Sequence, residues 1–201
     1  NVKWTEIGDF DIIQYDTMLP FLRQLAGPMD YTQGAMVNAA RHNFRPIHSQ
    51  PMAPGTRAHQ LALYMILFSP LNMLCDSPSN YRREQECTDF IASVPTVWDE
   101  TKVLDGKMGE YIVTARRKGN DWFIGGITNW TPRDLTIDLS PLNLKEGTEM
   151  TIFTDGANAH RNGNDYRSQT TTVASDSLHV HLAPGGGFAA HICGTDPTSD
   201  K

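Results

Sequence analysis

The side chains best suited by type for contact with a ligand lie in a short stretch near the start of the chain. Gly27-Pro28 ends the apolar segment before it and Gln33-Gly34 is a turn signal, so residues 29–32 have room only for a short extended run. We predict a buried strand there. Asp30 and Tyr31 fall at its carboxyl end, where they can hydrogen-bond either a polar substrate or a neighbouring part of the protein.

A metal site is the second chemistry that residue types suggest. His179 and His181 are two residues apart in a predicted strand, so their side chains share one face. The sequence shows no third ligand, and the acidic residues up to Asp16 match no calcium-loop spacing. We therefore assign no metal ligand, and a metal site at the two histidines stays an alternative.

The three cysteines, Cys75, Cys87 and Cys193, are too few for a disulfide scaffold and fit no zinc pattern. Cys75 and Cys87 flank a loop between two helical segments. They can form a local disulfide, or they can stay reduced as buried thiols. The sequence leaves both alternatives open.

The elements that must position Asp30 and Tyr31 follow the order helix, short strand, long loop, buried helix. Asp16 and Thr17 are cap-type residues ahead of an apolar helical pattern that ends at Leu25. The order is the repeating unit of a parallel α/β fold, in which the carboxyl ends of the strands face the ligand.

Residues 56–74 form the most apolar segment of the chain. Thr56 is a predicted cap, and the apolar residues after it cover nearly every helix face, so the helix must be buried all round. His59 and Tyr64 on this helix are predicted packing residues rather than catalysts. A second, amphipathic helix is predicted over residues 82–94.

After Pro95 the pattern changes to short alternating segments separated by turn signals, which is typical of an antiparallel sandwich. The predicted strands are Tyr111–Ala115, Trp122–Thr128, Leu135–Leu139, Met150–Phe153, Thr170–Val173, Leu178–Leu182 and Phe188–Ile192.

These patterns divide the chain into three parts. Residues 1–94 are predicted to be an α/β segment, the last strand and helices of a (β/α)8 barrel, and residues 95–194 an all-β antiparallel sandwich; 195–201 is a polar tail. A complete barrel needs about 250 residues. The chain of 201 residues is therefore expected to be the carboxyl-terminal part of a longer protein.

Composition restricts the classes of partner. The net charge is −6 and the pI is about 5.6, and the arginines are scattered rather than clustered, so we expect no nucleic-acid partner. The chain has no uninterrupted apolar run of about 18 residues, so we also expect no membrane-spanning segment.

Six stretches together resemble the carboxyl-terminal part of glycoside hydrolase family 97, in particular its α-glucosidase branch. They occur in the family's order: Tyr15-Asp16-Thr17-Met18-Leu19-Pro20-Phe21, Ala26-Gly27-Pro28-Met29-Asp30-Tyr31-Thr32, Gly55-Thr56-Arg57 with Gln60-Leu61-Ala62, Ser69-Pro70-Leu71-Asn72-Met73-Leu74, Val94-Pro95-Thr96-Val97-Trp98-Asp99-Glu100-Thr101, and Ala183-Pro184-Gly185-Gly186-Gly187. The resemblance implies that residues 27–32 are the last barrel strand and that the remainder is the family's β-sandwich.

The resemblance also implies calcium-assisted hydrolysis of α-glucosidic bonds in starch-derived oligosaccharides by paired glutamates. All of the family's catalytic and calcium-binding glutamates align before Asn1, so we assign no catalytic residue and no calcium ligand here. We expect this chain alone to be inactive, with the amino-terminal part of the same protein as its partner and a periplasmic or secreted location. Trp4 is predicted, with Asp30 and Tyr31, to lie near the substrate.

An alternative function is a non-catalytic module, either structural or carbohydrate-binding. Trp98, Trp122 and Trp130 could stack on sugar rings if they were exposed together on one face. The alternative interpretation is that these tryptophans are buried in the core of the sandwich.

Overall fold

The structure is a computed structural model that describes residues 10–194. Its helices are α1 (Ile12–Asp16), α2 (Leu19–Leu22), α3 (Arg57–Ile66), α4 (Pro78–Arg83) and α5 (Gln85–Ser93). Its strands are β1 (Thr32–Gln33), β2 (Asn38–Ala39), β3 (Ala53–Pro54), β4 (Met73–Leu74), β5 (Glu100–Lys107), β6 (Tyr111–Lys118), β7 (Asp121–Thr128), β8 (Arg133–Asp138), β9 (Glu149–Asp155), β10 (Tyr166–Thr172), β11 (Ser177–Leu182) and β12 (Gly187–Ile192).

The first helical segment begins earlier than the sequence predicts. Asp11 caps α1, its carboxylate accepting the backbone N–H of Gln14, and α2 follows with Pro20 in its first turn. The prediction that Asp16 is a helix cap is wrong. Asp16 is the last residue of α1, and its side chain is buried against other parts of the chain.

The α/β segment contains a parallel strand pair joined through a helix. β1 runs parallel to β4, with Thr32 opposite Met73, and α3 lies between them in sequence. As predicted, Thr56 caps α3, because its hydroxyl accepts the backbone N–H of His59. The helix ends at Ile66 rather than near residue 74, since Pro70 follows and Met73 enters β4.

This geometry corrects the predicted strand. The strand lies at Thr32–Gln33 rather than at residues 29–32, so Asp30 and Tyr31 precede it and lie at its amino end. It is also not the last parallel strand, because β4 follows it. Residues 10–194 contain two short parallel pairs, β1 with β4 and β2 with β3, and no barrel closes among them.

The prediction of an antiparallel β-rich part is confirmed. A six-stranded sheet has the order β10-β9-β12-β7-β6-β5, every neighbouring pair is antiparallel, and β8 and β11 form a separate pair. Each of the seven predicted strands overlaps an observed one, and β5 is an eighth that starts at Glu100.

The six-stranded sheet is covered on both faces. One apolar cluster fills the space between the sheet and the β8–β11 pair, with Trp122, Ile124, Ile137 and Leu182 among its buried members. The opposite face packs on the helices, and α3 is buried along its whole length. The close packing depends on Gly125, where a Cβ would lie 2.7 Å from the carbonyl oxygen of Ala62.

The helices and the sheet therefore share apolar clusters rather than burying separate cores. Leu61 and Met65 of α3 lie in one cluster with Phe123 of β7 and Ala189 of β12. The division at residue 94 stays a prediction. No helix among residues 10–194 is both long enough and apolar enough to cross a membrane.

Candidate functional site

Asp30 and Tyr31, which the sequence places near a substrate, differ in exposure and contacts. Asp30 is exposed, whereas Tyr31 is partly buried and its phenol donates a hydrogen bond to Asp16 Oδ1 at 2.5 Å. Burial, followed by the neighbouring Asp16 carboxylate, raises the pKa of Tyr31 well above its ordinary value. Tyr31 is therefore a neutral donor within the protein. Trp4 lies outside the described residues.

Asp16 and His59 extend this contact into a buried polar network. Asp16 is 1% exposed and His59 is 0% exposed, and His59 Nε2 lies 3.4 Å from Asp16 Oδ2. On the other side of the ring, Nδ1 lies 3.2 Å from the carbonyl oxygen of Gly186. A carbonyl oxygen only accepts, so Nδ1 donates this hydrogen bond and Nε2 faces the Asp16 carboxylate.

Asp155 is the second carboxylate of this region. It is the last residue of β9, and its Oδ2 accepts the backbone N–H groups of Ala183 at 2.8 Å and Gly187 at 3.0 Å. Burial raises its pKa to about 6, because ionisation is costly where water is excluded. Oδ1 is buried with no hydrogen-bond partner within residues 10–194.

The turn at residues 183–187 brings these groups together. Gly185 O accepts the backbone N–H of Thr56, which caps α3, and Gly186 O accepts from His59. Gly186 has no room for a side chain, since a Cβ there would lie 1.9 Å from Asp155 Oδ2. The network thus links α1, the segment before β1, α3 and the sheet. Apart from Asp155 Oδ1, its side chains bond one another or backbone groups of the chain, so the network acts as an anchor.

Arg57 forms a second anchor beside the first. It is 0% exposed, and it bonds Asn38 Oδ1 through Nε at 2.7 Å, Glu84 Oε2 through Nη1 at 2.9 Å and the Met36 carbonyl through Nη2 at 2.5 Å. The guanidinium also lies 5.7 Å from the ring centre of Tyr166 in β10. One side chain therefore connects the loop after β1, the helices and the sheet.

Neither anchor was predicted from the sequence, although several of the stretches that form them were singled out there. Four of the six stretches quoted for the family resemblance meet here, since they contain Asp16, Tyr31, Thr56-Arg57 and Gly186. His59 is a packing residue, as predicted. Similarity of these stretches to the family is visible in the sequence, but the contacts that explain it join residues between 15 and 127 positions apart.

Comparison with known proteins identifies the family. Residues 97–193 match the family model described as "Glycosyl-hydrolase 97 C-terminal, oligomerisation". The chain is 58% identical over 192 residues to a retaining alpha-galactosidase of Bacteroides thetaiotaomicron, covering 95% of this chain and 29% of that protein. It superposes with a TM-score of 0.80 on a family 97 enzyme of Pseudoalteromonas sp. strain K8 in complex with panose, at 36% identity, over 92% of this chain and 29% of the other. The chain belongs to glycoside hydrolase family 97.

A second, more distant relative also matches most of this family 97 chain. A probable retaining alpha-galactosidase of Streptomyces bingchenggensis is 31% identical over 181 residues, which is 90% of this chain and 26% of that protein. The predicted family is thus confirmed. The chain spans less than a third of the length of these relatives.

The tryptophans of this family 97 chain do not form a common platform. Trp122 is 5% exposed and lies in the core between the sheet and the β8–β11 pair, whereas Trp98 packs on Phe123 at the opposite face of the sheet. Trp130 Nε1 donates to Asp11 Oδ1 at 2.9 Å. Stacking of one sugar chain on the three rings is therefore wrong, because two of them face opposite sides of one sheet.

The two candidate metal-binding histidines form hydrogen bonds within the protein, and the two candidate disulfide cysteines are free thiols. His179 Nδ1 lies 2.9 Å from Thr136 Oγ1, and His181 Nδ1 lies 2.7 Å from Asp134 Oδ1. Within residues 10–194 no three His, Cys, Asp or Glu side chains converge to hold a metal ion. Cys75 is an exposed free thiol and Cys87 a buried one, the latter 3.7 Å from Arg57 Nη1. The local disulfide is not formed.

Two surface clefts flank β10. The first, of about 290 Å³, lies between α5 and the sheet and includes Glu86, Thr151 and His191. The second, of about 360 Å³, lies between the sheet and β11 and includes Arg167 and His179. Neither includes Asp30 or Tyr31, so the residues predicted to contact substrate do not line either cleft.

Proposed function

We propose that this chain is the carboxyl-terminal part of a glycoside hydrolase that cleaves α-glycosidic bonds, with its catalytic carboxylates in the part of the protein before Asn1. The chain's own role is to complete the catalytic barrel and to brace it against the β-sandwich. The parallel pair β1–β4, joined through α3 and open on both sides, carries this proposal.

An isolated parallel pair is an incomplete structure. Parallel sheets occur almost only where further strands and helices cover them, because their backbone groups and apolar side chains must be buried. Here Met73 and Leu74 of β4 are 48% and 51% exposed, and Leu71 is 71% exposed. Gln33 Oε1 is buried with no partner in the described chain. Further barrel strands would cover these groups.

The predicted chemistry then belongs to the assembled barrel. Glycoside hydrolysis needs a carboxylic acid and a carboxylate, about 5 to 5.5 Å apart in retaining enzymes. The curated relatives are named as retaining enzymes, and we propose the same outcome here. Asp16, Tyr31 and His59 would not touch the substrate; they would hold the β1 segment at a fixed position relative to the sheet.

Two sugars compete as the substrate. The relative at 58% identity is named an alpha-galactosidase, which favours an α-galactoside. The α-glucoside predicted from the sequence is supported by an enzyme solved with panose, but at 36% identity. We propose the α-galactoside, since specificity follows from pocket contacts that diverge with sequence, and keep the α-glucoside as the alternative.

Activity on matched substrates tests this function. The protein extended before Asn1 to the full length of its relatives should hydrolyse p-nitrophenyl α-galactoside with a kcat/KM well above that for p-nitrophenyl α-glucoside. The reverse order would select the α-glucoside. The 201-residue chain alone should hydrolyse neither, and turnover by it would refute the placement of the catalytic groups.

Calcium and location enter this proposal only through the family resemblance. By the resemblance, the calcium ligands would be glutamates that precede Asn1, and residues 10–194 contain no group of three or more His, Cys, Asp or Glu side chains placed to hold a metal ion. Chelator treatment of the extended enzyme should abolish hydrolysis, and added calcium should restore it. We also propose a periplasmic or secreted location, which fractionation of the producing cell and detection of the protein with an antibody would test.

A second proposed function for residues 97–193 is self-association. The description of the matching family model includes oligomerisation. The six-stranded sheet has two edge strands, β10 and β5, that pair with only one neighbour each, so a surface for strand pairing exists. Sedimentation of the 201-residue chain over a concentration series tests it, and a monomer at every concentration would refute it.

A further inference from the structure

The two edges of the six-stranded sheet differ in how they are protected. β5 has a register shift between Val103 and Asp105 and four charged side chains, Glu100, Lys102, Asp105 and Lys107. Bulges and charges are the features by which edge strands avoid pairing with other chains. β5 is therefore protected against a second copy.

β10 lacks these features. Its seven residues, Tyr-Arg-Ser-Gln-Thr-Thr-Thr, include one charge and no proline, and they pair with β9 in an unbroken register from Tyr166–Asp155 to Thr172–Glu149. Arg167, Gln169, Thr170 and Thr172 are exposed. A regular, nearly uncharged strand rich in β-branched residues is the kind of edge on which another strand can pair.

The hydrogen-bond pattern shows which backbone groups remain free. Val173 donates its N–H to Thr148 on the β9 side, and Asp165 accepts from Gly156 on the same side. Because the pattern alternates along a strand, odd-numbered residues of β10 face β9 and even-numbered residues face away. The N–H and C=O groups of Tyr166, Ser168, Thr170 and Thr172 thus point outwards, and no described residue outside the β9–β10 ladder bonds them.

We propose that β10 pairs antiparallel with β10 of a second copy of this chain, forming one continuous sheet across a two-fold axis. The inference rests on the proposed self-association and specifies its surface. An isologous two-fold contact requires a surface that complements itself, and an antiparallel edge does so because each outward N–H meets an outward C=O.

One register uses the whole strand. With the axis at Gln169, all seven residues are paired, and each even-numbered residue lies opposite another even-numbered one, as Ser168 does with Thr170 of the second copy. In this register Arg167 lies opposite Thr171 of the second copy rather than opposite the other Arg167. The two like charges are therefore kept at opposite ends of the contact.

A charge placed at Thr171 tests both the surface and the register. Thr171→Glu creates two Arg–Glu pairs across the axis, and Thr171→Lys creates two like-charge pairs. From the usual strength of cross-strand pairs, we expect Thr171→Glu to lower the dissociation constant of the dimer and Thr171→Lys to raise it, each by about 2- to 30-fold. High salt should reduce both effects. Non-specific repulsion would act in the opposite sense, because the chain already carries −6.

Two further variants complete the experiment. Val103→Glu and Val103→Lys introduce the same charges on the β5 edge, where Val103 is 63% exposed, and should leave dimerisation unchanged. Thr170→Pro removes one outward N–H, which an edge strand tolerates, so this variant should fold with wild-type secondary structure but dimerise weakly.

Sedimentation equilibrium of the wild-type chain and these variants then distinguishes the two levels of the proposal. A dimer that responds to Thr171 as stated and not to Val103 supports the β10 contact. A dimer with equal affinity for both Thr171 variants overturns the β10 contact while self-association stands. A wild-type chain that stays monomeric overturns both.

Discussion

Replacing Asp155 by Asn should remove a pH dependence of the unfolding free energy that is centred on this residue. The Asp155 carboxyl has a pKa of about 6 in the folded protein, above its ordinary 3.8, because it is buried. Below 3.8 it is protonated in both the folded and unfolded states, so it costs nothing. Above 6 it is ionised in both, and the folded state then holds a buried negative charge.

The size of the effect follows from the two pKa values. The difference between 3.8 and about 6 corresponds to about 3 kcal/mol of unfolding free energy. This stability is fully present below the ordinary pKa and is lost as the pH rises through the folded value. Asn is neutral at every pH, and its carbonyl oxygen can still accept the Ala183 and Gly187 N–H groups.

Urea unfolding of the wild type and of Asp155→Asn, across the range from below 3.8 to above 6, measures this directly. The free energy of the variant minus that of the wild type should grow by about 3 kcal/mol from the acidic to the neutral end. A difference that is constant with pH would refute the reasoning, because it would mean that Asp155 titrates alike in both states.

Asp138→Asn is the matched control with the opposite sign. Asp138 is exposed, and hydrogen bonds from Ser140 lower its pKa. Its contribution to stability is present above the ordinary carboxyl pKa and is lost as the pH falls, so its removal should matter at neutral pH and not in acid.

Three other substitutions test the anchors. Tyr31→Phe removes the donor to buried Asp16 and should lower the unfolding free energy by about 1–3 kcal/mol in urea titrations; an unchanged value would mean that water replaces the phenol. Arg57→Met should cost about 3–5 kcal/mol because it leaves buried partners unpaired, a loss that thermal unfolding would record and a wild-type midpoint would contradict. Gly186→Ala forces a Cβ against Asp155, and we expect it to cost about 1–3 kcal/mol by the same measurement.

The predictions that succeeded depended on local sequence. Alternating residues after Pro95 predict strands because side chains in a strand point to opposite faces, and all seven predicted strands are present. The Thr56 cap and the all-round burial of α3 also follow from a few neighbouring residues.

The predictions that failed depended on contacts between distant segments. Asp16 is a residue type that often caps helices, but here its carboxylate is buried and contacts Tyr31 and His59. Met73 and Leu74 continue an apolar pattern that reads as helix, yet pairing with β1 makes them a strand. Local propensity is overridden when a distant partner supplies the hydrogen bonds.

The sequence by itself determined the order of the elements, the β-rich second part and, through six short stretches, the family. Those stretches can be recognised without a structure because each is a run of consecutive residues that is compared with the family position by position. Only the tertiary structure decided what the residues in them do, because the contacts of Asp16, His59, Asp155 and Gly186 join segments that are far apart along the chain. Burial, which turns an ordinary carboxyl into one that titrates near 6, is a property of that assembly and not of the residue.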